Sequence, residues 1–491
     1  MEDERESDIR VELEEMLQRL EEERYLQLSG AKPESRRRAL FSRRSDLLDP
    51  ANWRAQAAEG LTSGRGELER LFTHACIDAS MAGPLDSLLH AETTREISIG
   101  GAGKTTLRRA PVQIAGISER PIRAEAYSAW LTARSGLSSF SEDALANANT
   151  TVRALGFESL ADAVEGGMGL PLSELSENAS ALIDVTEDIY TDILSWVIKK
   201  NCRVSLERAE EHDLFWLGGP CGPVSPVSFE HIHGLIAGRI ASTGIESRAD
   251  GRLAFDMESR DGKIVEPLCV PLRVPGRVIV LGERRDSLDY ARLHTHELGR
   301  GLTYALLERS LPFELRCLMD PAVPHAWGYL LDGVFLEKKW TESLGDCALR
   351  NSWLPLGGAL DLMRHRVNSA FVLALAEEGG GPELGNANSR MTKRALGLEP
   401  SVPMLFRSLD DLLGPVHRLR GLALGLSLRA HFRERFGEDW SCDAGAGALM
   451  LSLWEGGGSW TPDRLADALG LVTAKPGALV EETERALGKW Q

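Results

Sequence analysis

The run that most restricts how this chain can fold is Asp286-Ser287 followed by LDYARLHTHELGRGLTYALLER. Asp and Ser are strong N-cap residues, because their side-chain oxygens accept from the unpaired amides of a first helical turn. The spacing predicts a helix over 288–309. On it Asp289, Leu293, His296, Arg300 and Leu307 fall roughly on one face, with Glu297 one position round and three residues before Arg300.

That face carries half of a chemical signature. His296-Glu297 opens H-E-x-x-H, in which two His one turn apart hold zinc and the Glu serves as general base. The second His belongs at 300, where Arg300 stands. His294, two positions before His296, lies across the helix and is expected to be a surface or satisfied core residue.

The rest of the sequence sets the frame. Its 491 residues allow two to four lobes of roughly 100–200 residues. The net charge of −17 disfavours nucleic-acid or anionic-membrane binding. No apolar run approaches the ~20 residues of a membrane span. The opening MEDERESDIRVELEE has no apolar core of a secretory signal. Seven Cys without C-x-x-C spacing suit reduced thiols, and a cytoplasmic location is expected.

Ile9, Leu13, Met16, Leu17, Leu20 and Leu28 recur at helical spacing and predict a docked amphipathic helix. The Arg cluster in PESRRRALFSRR reads as the polar face of a second helix. Residues 50–200 read as mostly helical. The exception is REISIGGAGKTTLRRAPVQIAGI, where Ile97, Ile99 and then Val112, Ile114 suggest two strands about a Gly-rich turn. GGAGKTT imitates a P-loop, but Ser98 stands where the first glycine is required, so a hairpin is expected. RLAFDMESRDGKIVEPLCVPLRVPGRVIVLG predicts a small antiparallel sheet with turns at RDGK and VPGR. From Leu288 the pattern is helical to the end.

Several of these segments together resemble the thimet oligopeptidase and oligoendopeptidase F family of zinc peptidases. FDMESRDGKIVEPLCVPLRVPGRVIVLG is similar to the family's sheet segment lining the cleft, and LDYARLHTHELGRGLTYAL to its active-site helix. LPFELRCLMDPAVPHAWGYLLDGVFLEKKW is similar to the segment bearing its third metal ligand, a Glu. RERFGEDWSCDAGAGALMLSLWEGGGSWTPDRLADALG resembles its C-terminal helices. The likeness runs from about Asp213 to Gly470. It implies a mainly α, two-lobed, zincin-like metallopeptidase fold with a channel between an N-terminal helical lobe (1–200) and a peptidase-like lobe (201–491).

The resemblance matches His296 to the family's first ligand and Glu297 to its general base. It puts Arg300 in place of the second His and His325 in place of the ligand Glu. It also implies a Tyr and a His on a late helix, but HRLRGLALGLSLRAHF has no Tyr and offers only His417 and His431. Catalytic zinc wants three protein ligands, and a guanidinium has no lone pair to give. The expectation is therefore that Arg300 pairs with Glu297, near His325, and that hydrolysis is lost. The inherited channel then binds a peptide or protein partner. The alternative is a metal-dependent hydrolase, in which His296 and His325 hold zinc or another divalent metal with Glu297, Asp332 or Asp289 as third donor. Cys269 and Val270 on the cleft strand, with Trp327 and Tyr329, are candidate substrate contacts, although the aromatics and Cys269 also suit a core. His231 and His233 in FEHIHGL diverge if the segment is helical, as its flanks suggest. Oligomeric state is not legible.

Overall fold

A computed structural model describes residues 2–32, 34–49, 65–100, 103–224, 227–249, 251–345, 347–399 and 412–488. The chain is mostly helical. Seven helices carry the argument: α1 (Glu2–Leu28), α2 (Arg65–Thr94), α3 (Phe229–Ser242), α4 (Leu288–Ala305), α5 (Ala322–Asp332), α6 (Cys347–Glu378) and α7 (Gly414–Phe436). The strands are β1 (Glu96–Ser98), β2 (Lys104–Thr106), β3 (Leu253–Asp256), β4 (Leu268–Arg273) and β5 (Arg277–Leu281). Among the described residues no helix is long and apolar enough to cross a membrane.

α1 docks as its apolar spacing predicts. Leu13 and Met16 pack against Leu68 of α2 and Phe313. Leu28 and Tyr25 lie on the sheet against Val270, Leu272, Ile279 and Leu281. Tyr25 Oη donates to Asp256 Oδ2 at 2.9 Å. The Arg cluster enters a short helix, Arg37–Ser42, where Arg37 pairs with Asp86.

β1 and β2 form the expected antiparallel ladder, Ile97 opposite Thr105. The tip of the motif, residues 101–102, lies outside the described residues. Val112 and Ile114 do not form its second strand. They sit on a helix, Ala110–Ala115, which Pro111 starts in the first turn, where its missing N–H costs nothing.

The larger sheet is mixed. β5 lies in the centre, antiparallel to β4 (Cys269 opposite Val280) and parallel to β3 (Phe255 opposite Val280). The expected antiparallel pairing therefore holds at only one of its two ladders. VPGR makes the β4–β5 hairpin. RDGK makes none, because Lys263 is buried and folds back to donate to Asp256 O, Asp256 Oδ1 and Glu258 O at 2.6–2.9 Å.

α4 is capped by Ser287, whose Oγ accepts from Tyr290 N at 3.3 Å. It ends four residues before the predicted 309, and Glu308 N donates instead to Glu455 O at the end of another helix. α4 lies between the sheet and α5, and α5 lies between α4 and α7. Every residue of α5 is buried. Glycines allow this close stacking. A Cβ at Gly299 would stand 2.8 Å from Trp327 O, and at Gly425 2.7 Å from Tyr329 Cβ. Around them Trp327, Trp340, Trp353, Trp440 and Trp454 are all under 2% exposed. Each takes about 200 Å² from water, worth about 5 kcal/mol before entropy is subtracted.

Candidate functional site

α4 and α5 bring His296, His325 and Asp332 into one buried row. Asp332 lies seven positions after His325, two turns of α5, so both face α4. His296 Nδ1 lies 3.0 Å from Asp332 Oδ2, and its Nε2 lies 3.0 Å from His325 Nδ1. Burial opposes the charge on Asp332, yet Arg292, the hydrogen bond and charge of His296, and Arg429 hold its carboxyl below the usual range. An ionised Asp332 accepts from the Nδ1–H of His296. The facing nitrogens of His296 and His325 then share one proton. His325 is kept neutral, first by complete burial and then by the charges of Arg300, His296, Arg418 and His417.

Beneath this row lies an ionic base. Arg292, 2% exposed, donates to Asp361 and stands 3.5 Å from Asp332. Asp361 also lies 3.2 Å from His365 Nε2. Burial works against the Asp361 charge, but Arg292 and His365 hold its carboxyl well below its ordinary value. Arg429 of α7 donates to Tyr329 O at 2.5 Å and approaches Asp332 at 3.5 Å.

Glu297 faces a different set of partners. Its Oε2 accepts from Arg300 Nη1 at 2.6 Å, the pairing that the i,i+3 spacing predicts, and from the Cys269 amide at 2.7 Å. One carboxylate oxygen thus ties α4 to itself and to β4.

A cavity of about 390 Å³ opens beside the row. His296, Glu297 and Tyr329 line it, whereas Arg300, Cys269, Val270, Trp327 and His325 do not. Cys269 is 1% exposed, and burial pushes its thiol up to about 12, so it is no nucleophile at neutral pH. Val270 belongs to the apolar cluster beneath α1, because alternate residues of β4 face opposite sides. Trp327, two positions from Tyr329, points to the far side of α5 and packs edge-on against Phe432 and Trp454. Substrate contact at Val270 and Trp327 is therefore replaced by core packing. Asp289 is also removed from the row: it binds Arg364 of α6. His233 sits on helix α3 among Phe229, Phe255 and His294, and His294 is a buried core residue of that ring cluster.

Sequence reasoning missed the cavity walls from α6 and α7, including Arg364, His365, Asn368 and Arg418. Asp361 and His365 do carry a signal, an i,i+4 acid–His pair. Arg292 stands one turn before His296. Only the tertiary fold brings these residues together.

The donor set does not complete a three-ligand zinc site. His296 and His325 offer two facing nitrogens, but Asp332 holds the other nitrogen of His296, and Arg300 and Cys269 share one oxygen of Glu297. Among the described residues no three His, Cys, Asp or Glu converge as a metal-binding group.

Solved structures share this architecture, a mostly helical chain with a small sheet beside a buried helix. A structure described as oligoendopeptidase F from Bacillus anthracis str. Ames matches with a TM-score of 0.62 and 14% identity, over 91% of this chain and 84% of its own. A 3.1 Å oligoendopeptidase F structure from microfluidic seeding gives the same values. PZ peptidase A with an inhibitor gives 0.61 and 13%, over 91% and 86%. The fold is thus that of the oligoendopeptidases. No protein-family model matches the sequence, and no curated protein does.

Proposed function

We propose that this chain is a non-hydrolytic protein of oligoendopeptidase fold that binds a peptide, or a peptide segment of a protein partner, in the cavity beside α4. The observation that carries this reading is the Arg300–Glu297 pair. It sets a permanent cation where the H-E-x-x-H signature needs a ligand, and it occupies the carboxylate that would act as base. The test is metal analysis of the purified protein together with digestion of a mixed short-peptide library, native chain against Glu297→Gln. Little bound zinc and no cleavage are expected. Stoichiometric zinc with cleavage that vanishes in Glu297→Gln overturns the reading.

One observation favours a second reading, a metal-dependent hydrolase. The His296 and His325 nitrogens face each other at 3.0 Å, and Asp332 backs His296 as an outer carboxylate would. Zinc or another divalent ion held there would act as a Lewis acid. Metal retained by the native chain and lost in His325→Ala supports that reading.

A further inference from the structure

We infer that Tyr329 is a ligand-binding residue of the cavity. Its hydroxyl donates to a backbone carbonyl of a short peptide whose neighbouring side chain is apolar. The inference rests on the peptide-binding reading above and names what that cavity selects.

Tyr329 is 6% exposed, so a satisfied hydroxyl is the norm at such burial. Among the described residues it has no hydrogen-bond partner, and it lines the cavity. Its ring is fixed by its neighbours. It stands edge-on to His296 at 4.5 Å and to His365 at 5.2 Å between ring centres. The backbone is held by Arg429. Burial raises the phenol pKa further, so the group is a donor throughout the neutral range. A rigid buried donor aimed into a cavity is made for an acceptor that arrives from outside.

The surroundings narrow the class of that acceptor. Leu214, Phe215, Leu293, Met363, Val367 and Leu396 make the walls predominantly apolar. The cavity volume falls in the range of small-ligand sites. Asn368 adds an amide without a partner among the described residues, able to give and to accept as a peptide group does. The wall carries five carboxylates (Glu211, Glu266, Glu297, Asp332 and Asp361) against three guanidiniums (Arg292, Arg364 and Arg418). An acidic ligand side chain would meet that surplus unfavourably. A peptide group beside an apolar side chain offers a carbonyl to Tyr329, a matching amide to Asn368 and an apolar surface to the walls.

The test is an NMR titration with Ac-Ala-Leu-Ala-NH2, Ac-Ala-Ala-Ala-NH2 and Ac-Ala-Glu-Ala-NH2 against the native chain, Tyr329→Phe and Asn368→Ala. The native chain is expected to bind the Leu peptide on the order of tenfold more tightly than the other two. Tyr329→Phe keeps the ring and removes only the donor. It should weaken the Leu peptide roughly three- to tenfold with the unfolding midpoint unchanged. Asn368→Ala, which removes no hydrogen bond among the described residues, should weaken it by a similar factor. Equal affinity in Tyr329→Phe, or no preference for Leu, overturns this inference and leaves peptide binding standing. Binding of none of the three overturns both.

Discussion

Arg300 reaches back one turn of α4 and places Nη1 2.6 Å from Glu297 Oε2, with side-chain exposures of only 15% and 12%. A pair so shielded gains from its low-dielectric surroundings, and it strands a charge when one member is removed. Arg300→Met should therefore destabilise the protein by about 3 kcal/mol. In the double variant with Glu297→Gln much of that loss should return, since no charge is left uncompensated. Urea unfolding of the four proteins measures the coupling. Strictly additive losses would mean that the pair is not a unit.

The fit between α4 and α5 gives a second expectation. A Cβ on Gly328 would stand 2.7–2.8 Å from three atoms of the His296 ring. Gly328→Ala must therefore push His296 off Asp332 and His325, at about 1–3 kcal/mol. Gly234 is the control: it lies on α3, and a Cβ added there would meet nothing within 4 Å. There the same change should stabilise by about 0.5–1 kcal/mol through helix propensity alone. Thermal melts that move the two variants in the same direction would contradict this packing.

These contacts show what the chain reveals before it folds. The α4 start was legible from Ser287, and the Arg300–Glu297 pair from spacing on one helix, because both are local. α1 was legible because Leu13, Met16 and Leu28 repeat at helical spacing. The parallel β3–β5 pairing was not. A turn such as RDGK states that the chain reverses, not which strand it will meet, and Lys263 diverts it. Nor could the sequence show that Asp361, Asp332 and Arg429, from three helices, would gather near Arg292. Trp327 and Tyr329 were indistinguishable as aromatics until helix phase set one in the core and the other at the cavity.

Acid should weaken this fold through histidines before it reaches the carboxylates. His294 is pushed to about 3 by burial, helped by the charge of His233, from an ordinary 6.5. Between those values the unfolded chain binds a proton that the folded chain refuses. Stability present above pH 6.5 is therefore lost as pH falls toward 3, by up to about 1.4 kcal/mol per pH unit for this group. His294→Phe keeps a planar ring beside Phe229 and Phe255 and removes the titration. Its unfolding free energy, followed from pH 7.5 to 4.5, should fall less steeply than the native by about that slope. An unchanged slope would place the proton uptake elsewhere.

In the proposed reading Arg300, rather than the exchange at 325, is the obstacle to zinc, and the two can be separated by substitution. His325→Glu alone should not create a site, because the new carboxylate meets the guanidinium and is neutralised by it. Arg300→His removes the cation and supplies a lone pair one turn from His296, and with His325→Glu it yields the two-His, one-Glu set of catalytic zinc proteins. The double variant should retain close to one zinc after dialysis. Its melting point should rise with added zinc, by the equivalent of about 2.7 kcal/mol at a hundredfold excess over Kd. Restored metal without restored cleavage is the expected combination, since the late helix α7 offers no Tyr to steady an intermediate. Zinc held as tightly by His325→Glu as by the double variant would show that the guanidinium swings clear, and would overturn the role proposed for Arg300.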